Sequence, residues 1–259
     1  MTRRALVLFL VALSFAPAAF GQADASAVPV LEGLESVVPT EEAPLTSAVE
    51  IAALLTILSL LPAILITLTS FTRIVIVLSF VRRSLAVNEL PPNPVIIGLS
   101  LFLTTFVMAP VFKRMHDAAY VPYQAGEVGM EGAATEAWGE LRGFLTANTR
   151  ESEIGLFLEL SNTEPVFDDD GTLVREQLPF RVVVPAFVLS ELKTAFQMGF
   201  LLFLPFLVID LVVASVLISM GMFMLPPIMI STPFKILLFV LVDGWHLICQ
   251  SLVTSFITT

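Results

Sequence analysis

Four long apolar runs limit the folds open to this chain more than any other feature of its sequence. Crossing the roughly 30 Å hydrocarbon core of a bilayer takes about 17–25 helical residues, and each run is long enough. The third run carries charge only at Glu191, Lys193 and Asp210. The sequence therefore predicts an all-α membrane protein. The four apolar blocks are 51–81, 95–112, 182–230 and 234–257. The first two lie in the region 49–112, and the last two lie in the region 182–259.

Composition supports a membrane protein and limits the classes of partner. Hydrophobic residues make up 56% of the chain and charged residues 14%, whereas soluble domains carry about 25% charged residues. The net charge of −10 is concentrated in polar segments, since 13 of the 23 acidic residues lie within 117–176 and six within 24–50. Because no basic stripe is present to meet phosphates, we expect no nucleic-acid partner. The single cysteine, Cys249, excludes an intramolecular disulfide and a paired-cysteine site.

The first 21 residues have the layout of a cleaved secretory signal peptide. Two arginines near the start precede an apolar run over 5–15, and Ala19 and Gly21 place small residues before the expected cleavage point. The run is too short to span a bilayer, which disfavours the alternative of an uncleaved anchor helix. We therefore expect a mature chain that begins at Gln22.

The polar segments predict the orientation of the blocks. The segment 22–48 lacks aromatic residues and is rich in Ala, Val, Pro and Glu, so we expect it to be disordered and extracytoplasmic. Arg82 and Arg83 lie in the short loop after block one, and basic residues in short loops stay on the cytoplasmic side. Block two is then expected to cross outward, which places the acidic region 113–181 on the extracytoplasmic side. Block three would cross back to the cytoplasmic side, and block four would cross outward again.

The acidic region 113–181 contains two apolar stripes with the spacing of an amphipathic helix. Thr149 is a candidate N-cap for the second helix, because Glu151 and Glu153 would then lie in its first turn. The aspartates of 168–171 do not have the ligand spacing of a calcium loop. We therefore expect two short helices and no calcium site. The stripes are Trp138, Leu141 and Leu145, followed by Ile154, Phe157 and Leu158.

Blocks one and three do not fit simple lipid-facing spans. Block one has 31 residues, would extend about 46 Å as one helix, and is expected to break at Pro62. It also contains Arg73, whose exposure to lipid would be costly. Block three carries three charges and two prolines, Pro185 and Pro205. Either these polar groups line an aqueous path or pair across helices, or the helices are hairpins buried in an oligomer; both explanations are expected to require partner chains.

The sequence carries no recognisable catalytic motif. His116 and His246 are the only histidines, and no zinc-protease motif, glycine-rich phosphate loop or serine-hydrolase elbow occurs. Asp243 and His246, three residues apart in block four, could relay protons, bind a metal or form an ordinary interhelical contact. A third metal ligand is not visible near them. We therefore expect neither an enzyme, nor a cofactor, nor a metal site.

Four runs of the chain resemble the FliP family of flagellar biosynthesis proteins. The resemblance extends over about residues 54–256 and is loosest around 118–150. Several long runs occur in the order found in the family, and the expected signal peptide also fits it. The runs are SFTRIVIVLSFVRRSL, NPVIIGLSLFLTTFVMAPVF, SELKTAFQMGFLLFLPFLVIDLVVASVLISMGMFMLPP and PFKILLFVLVDGWHL.

The resemblance implies a pore-forming subunit of the flagellar type III protein-export gate, in the inner membrane at the flagellar basal body. Members of the family form a homopentamer with FliQ-like and FliR-like membrane subunits and work with other export-apparatus proteins. Their cargo is unfolded flagellar proteins. The implied fold consists of broken helical hairpins packed in an oligomeric cone, with a small helical extracytoplasmic region.

The resemblance also implies roles for individual residues. A methionine-rich loop over 221–227 matches the gasket of the family's pore, although a third methionine is common where Phe223 stands. Gly221 is expected to adopt an unusual backbone angle, and Pro226 and Pro227 to end any helix there. The implied gasket residues are Met222, Phe223 and Met224, and the implied subunit-interface residues are Phe144, Phe157 and Glu191.

Two other functions remain open at this point. A proton-coupled membrane transporter would use intramembrane polar residues as a relay, and such transporters often show internal repeats, which we do not find. An intramembrane enzyme would need a nucleophile, but Asp210 lacks the glycine-rich context of an aspartyl protease. The relay would comprise Arg73, Asp210, Asp243 and His246, and Lys193 completes the set of intramembrane polar residues.

Overall fold

The computed structural model describes residues 45–86, 91–168, 173–222 and 224–257. The expected signal peptide lies outside these ranges, and so does most of the segment 22–48. The last four residues of that segment belong to the first helix, so its expected disorder does not extend to residue 48. The chain divides into two compact units, Met1–Ser59 and Leu60–Thr259, and the structural features below belong to the second unit unless stated otherwise.

The described residues are mostly helical, and within them no β-strand occurs. This confirms the all-α fold class. Besides the α-helices, a π-helical turn covers His116–Tyr120 and a 3₁₀ turn covers Arg175–Gln177. The α-helices are α1 (Leu45–Thr67), α2 (Phe71–Ser84), α3 (Asn93–Met115), α4 (Val121–Ala125), α5 (Met130–Ala147), α6 (Glu151–Leu160), α7 (Phe180–Ser219), α8 (Pro227–Leu241) and α9 (Gly244–Ile257).

Two helical segments of the described chain are long and apolar enough to cross a membrane unaided. They are Asn93–Ala125, which runs from α3 through the π turn into α4, and Phe180–Ser219, which is α7. Two bent pairs are long and apolar enough when each is taken as one span: Leu58–Thr67 of α1 with α2, where the helix axis bends by 65°, and α8 with Gly244–Phe256 of α9, where it bends by 62°. The four apolar blocks thus form two continuous and two broken helical segments.

Block one breaks at Leu68–Ser70 rather than at Pro62, which lies inside α1. Hydroxyl groups replace the backbone hydrogen bonds lost at the break. Thr69 donates to the carbonyl of Leu65 at 2.7 Å, and Thr72 donates to the carbonyl of Ile66 at 3.1 Å. The expected break at Pro62 is wrong because one missing donor weakens a helix without ending it, whereas the hydroxyls stabilise a bend.

Block three contains one unbroken helix of 40 residues, although two prolines lie within it. At about 1.5 Å per residue, α7 is roughly 60 Å long, about twice the hydrocarbon thickness of a bilayer. The helix continues through both Pro185 and Pro205 without a break. Pro226 and Pro227 do not simply end a helix either, because Pro227 is the first residue of α8, a position where its missing N–H and fixed φ are favourable.

Block four is two helices, not one. The chain turns at Asp243, which has a left-handed φ of +50°. Gly244 follows, and a Cβ there would lie 2.3 Å from the ring of Phe239. The absence of a side chain at Gly244 therefore lets α9 start directly against the end of α8, at the observed 62° bend.

The acidic region 113–181 contains the two expected helices, α5 and α6. Leu145 and Ile154 are the most deeply buried members of the two predicted stripes. Thr149 is not the N-cap of α6, because its hydroxyl donates to the carbonyl of Leu145 at 2.6 Å and so closes the end of α5. Arg150 occupies the N-cap position, and its amide donates to the hydroxyl of Ser190 at 3.1 Å.

The core forms where α2 packs on the first half of α7. The buried residues of α2 recur at the i, i+3, i+4, i+7 spacing of a helix that buries one face. At Gly199 of α7, a Cβ would lie 2.6 Å from the ring of Phe80, so the glycine permits close approach of the two helices. The buried residues are Ile74, Val77, Leu78 and Val81 of α2 and Val182, Val183, Ala186 and Phe187 of α7.

Candidate subunit-assembly and gate site

The methionine-rich loop begins with a well-defined helix end. The amides of Gly221 and Met222 donate to the carbonyls of Ile218 and Leu217, respectively, at 3.0 Å each. This pair of bonds is a Schellman motif, which requires a left-handed residue after the helix. Gly221 supplies that conformation with a φ of +76°, as its position in the sequence predicts.

Beyond this helix end, the loop exposes its methionines on the isolated subunit. Met224 is 96% exposed and Met222 is 37% exposed. Phe223, the middle residue of the expected gasket, lies outside the described residues. A flexible, unbranched thioether side chain can fill an irregular gap and then move aside, so this loop has the chemistry that a deformable seal needs.

An ion pair fixes the two helices that carry the loop. Lys235 Nζ of α8 lies 2.5 Å from Asp210 Oδ2 of α7, and the hydroxyl of Ser231 donates to Asp210 Oδ1 at 2.5 Å. Lys235 and Ser231 are buried. Sequence analysis missed this pairing, but a signal was present: Asp210 and Lys235 lie ten residues before and nine residues after the 220–226 connection, and an antiparallel hairpin brings such positions together.

A second ion pair is buried deep in the subunit. Arg73 of α2 meets Glu191 of α7 in a bidentate pair: Nε lies 2.8 Å from Oε2, and Nη2 donates to Oε1. Glu191 is 0% exposed and Arg73 is 4% exposed. Planar guanidinium and carboxylate groups match in this geometry, which makes such pairs directional as well as strong. Glu191 thus faces the interior of its own subunit.

Aromatic side chains surround this pair. The ring of Phe256 lies 3.8 Å beneath the guanidinium carbon of Arg73. Phe144 stacks on Phe256 with ring centroids 6.3 Å apart, and it also meets Phe187 at 6.1 Å. Phe144 is buried, whereas Phe157 is half-buried at the edge of the core. The interface roles implied for these residues stay predictions, and of the three implied interface residues Phe157 is the one that the isolated subunit leaves partly exposed.

A polar seam attaches α6 to α7. Lys193 Nζ lies 3.0 Å from Glu153 Oε1. The guanidinium of Arg150 donates to Thr194 at 3.1 Å and also to Gln197. The hydrogen bond from Lys193 is the main cause that lowers the pKa of the Glu153 carboxyl, against the opposing effect of desolvation. Lys193, like Arg73, therefore has its ion-pair partner within the same chain, so neither charge needs a partner chain to neutralise it.

The residues of the hypothetical proton relay are not brought together. Arg73 and Asp210 each have a different partner, while Asp243 and His246 lie at the start of α9 with exposed side chains. Within the described residues, no group of three histidines, cysteines or carboxylates is close enough to hold a metal ion. The arrangement is that of separate structural clamps rather than of a continuous path for protons.

The second half of α7 and the face of α8 leave a large apolar surface uncovered. Soluble monomers rarely expose contiguous apolar patches of more than a few hundred Å², so a surface of this kind marks contact with lipid or with other proteins. Residues exposed by more than half include Leu201, Val208, Leu211, Val212, Val216 and Ile218 of α7 and Phe234, Leu237, Val240 and Leu241 of α8.

Comparison with known proteins agrees with this picture. Residues 54–252 match the family model of the FliP family. A flagellar biosynthetic protein FliP from Bacillus subtilis (strain 168) is 53% identical over 211 residues, which cover 82% of this chain and 93% of that protein. For the FliP of Pectobacterium carotovorum subsp. carotovorum the identity is 51%, over 82% of this chain and 80% of the relative. For that of Aquifex aeolicus it is 46%, over 83% and 88%. Because the matches cover most of both partners, this chain belongs to the FliP family.

Proposed function

We propose that this chain is a pore-forming subunit of the flagellar type III protein-export gate and conducts unfolded flagellar proteins across the bacterial inner membrane. Membership of the family supports the flagellar assignment. The observation that carries the gate function is the exposed pair Met222 and Met224 at the end of a hairpin clamped by Asp210 and Lys235. The ion pair holds the hairpin in place, while the methionine side chains at its end are flexible and apolar. This combination suits a seal that must close around chains of any sequence.

The uncovered apolar surface supports an assembled rather than a solitary subunit. A 40-residue helix is about twice as long as the hydrocarbon core, so only part of it can lie in lipid. We therefore propose a homopentamer in which neighbouring copies, together with FliQ-like and FliR-like membrane subunits, cover the second half of α7 and the face of α8. Other export-apparatus proteins would deliver the unfolded substrates.

Within such a ring, the methionine-rich loops of all copies would meet at the axis. Their apolar side chains would exclude water and ions from the closed pore by dewetting. A passing chain would displace them, because each thioether side chain has three rotatable bonds. The separate pairing of Arg73 and Asp210 gives no comparable support to a proton-coupled transporter.

The double variant Met222→Ala with Met224→Ala tests this function. We expect normal assembly but increased ion leakage through the closed complex, measured as conductance in bilayers or as sodium sensitivity of cells that express the complex. Met130→Ala is the matched control, since Met130 is 75% exposed but lies on α5. If the double variant assembles normally and leaks no more than the wild type, these residues are not the seal.

A further inference from the structure

We infer that Arg73 is a positioning residue that ties the end of the C-terminal helix α9, which packs mainly on α3 and α8, to α2 and α7. Its contact is with the end of α9, at Ser255 and Phe256, in addition to the pairing with Glu191. The contact itself is independent of the gate mechanism, whereas its consequence for assembly rests on the proposed function.

The guanidinium of Arg73 forms hydrogen bonds along two of its edges and contacts an aromatic ring with one face. One edge binds the carboxylate of Glu191. On the other side, Nη1 donates to the hydroxyl of Ser255 at 3.0 Å and to its carbonyl oxygen at 3.2 Å. The ring of Phe256 covers one face at 3.8 Å. A lysine could neutralise Glu191, but its single ammonium has neither the planar fork nor the flat face that these contacts require.

Helix α9 needs such an anchor because of the way it enters the fold. It follows a 62° bend at which Asp243 has a left-handed φ, so α9 does not continue along the axis of α8. Its buried residues, Ile248, Leu252 and Phe256, form a single stripe spaced four residues apart. An apolar stripe permits sliding and rotation, whereas the directional bonds of Arg73 fix where the end of the helix lies.

The aromatic contact of Phe256 also links α9 to α5, in the acidic region 113–181. Phe144, at the end of α5, stacks on Phe256 from beyond the guanidinium. Phe144 and Glu191 are 8% and 0% exposed, so neither presents its side chain on the surface of the subunit. We therefore infer that substitutions at Phe144 or Glu191 act on the position of α9, and not by removing a contact between subunits.

The native cysteine provides a direct probe of this inference. Cys249 is the single cysteine of the chain and is half-buried on α9. In the purified full-length protein, we expect Arg73→Lys to raise the rate of N-ethylmaleimide labelling at Cys249 several-fold. Lys193→Ala is the matched control, because it breaks another ion pair of α7 without touching α9, and should label at the wild-type rate.

Two further variants keep the test decisive if Arg73→Lys does not fold. Ser255→Val and Phe256→Leu leave the Arg73–Glu191 pair in place but weaken the contact with α9, so both should also label faster than the wild type. Wild-type labelling in a folded Arg73→Lys variant, or in both α9 variants, would overturn the inference. Oligomer yield is measured in parallel on native gels. A wild-type chain that does not oligomerise contradicts the proposed function, while the labelling rates still decide the role of Arg73.

Discussion

The two halves of α7 share one continuous helix but differ in what covers them. Between Val182 and Gly199, eight residues are buried, including the charged Glu191; beyond Gly199, only Phe206 and Leu217 are buried. The first half packs on α2, α5 and α6 of the same chain, and the second half contacts α8 and otherwise presents apolar side chains outward. The first half is therefore packed against other helices of its own chain. The second half keeps an apolar surface that only other molecules can cover.

This difference separates substitutions that unfold the subunit from those that prevent its assembly. A residue of the first half has native partners as soon as the chain folds, so its loss lowers the stability of the isolated subunit. A residue of the second half has few partners until the complex forms. Its loss should leave the isolated subunit nearly unchanged and should weaken association.

The largest effect is expected in the first half, at Glu191→Ala. The substitution leaves the Arg73 guanidinium buried without its counter-charge, which costs about 3–5 kcal/mol for pairs of this kind. We expect a sharp loss of folded subunit, measured by the melting temperature of the detergent-solubilised protein. Glu191→Gln should lose less, because an amide retains one hydrogen-bond acceptor. A melting temperature equal to that of the wild type in Glu191→Ala would show that the first half does not depend on this pair.

A smaller effect is expected at the clamp of the second half. Asp210→Ala leaves Lys235 buried without its partner, but the Asp210 side chain is 36% exposed, so this pair is less completely buried than Arg73 with Glu191 and its loss should cost less. The exchanged pair Asp210→Lys with Lys235→Asp should recover part of the melting temperature. If the exchanged pair is as unstable as Asp210→Ala, the clamp does not act through its charges.

The uncovered face should hardly affect the subunit alone. Leu211→Ala and Val212→Ala remove side chains that are 68% and 55% exposed, so we expect changes of at most about 0.5 kcal/mol in the unfolding free energy. Oligomer yield on native gels should nevertheless fall. Val183→Ala, at a buried position of the first half, is the matched comparison and should lower the melting temperature instead. If Leu211→Ala, Val212→Ala and Val183→Ala all give the same oligomer yield, the two halves of α7 do not differ in their contribution to assembly.

The smallest effect is a dependence on pH at the α6–α7 seam. The pKa of Glu153 is lowered in the folded protein, so its interaction with Lys193 stabilises the fold above the unfolded pKa of about 4.3 and is lost as pH falls through the folded value. Glu153→Gln should therefore melt slightly below the wild type at pH 7, and the difference should vanish once the pH falls below the lowered pKa of Glu153 in the folded protein. A difference that persists at low pH would have a cause other than the charge.

The sequence predicts the apolar blocks, the outer helices and the left-handed Gly221, because each depends on local spacing or on one backbone angle. It does not predict that α7 continues through Pro185 and Pro205, because tertiary packing decides whether a proline ends a helix. Nor does it pair Arg73 with Ser255, since the two are 182 residues apart and a backbone carbonyl leaves no mark in a sequence. The bend at Leu68–Ser70 depends on hydroxyl groups that appear in the sequence only as a polar patch.

The subunit composition of the complex tests the central claim most directly, because an export-gate subunit must assemble. The measurement is the native mass of the complex extracted in mild detergent from cells that produce this chain together with the proposed FliQ-like and FliR-like partners. We predict a complex that contains five copies of this chain together with both proposed partners. A chain that remains monomeric or dimeric in the presence of both partners would contradict the proposal of a pore-forming gate subunit.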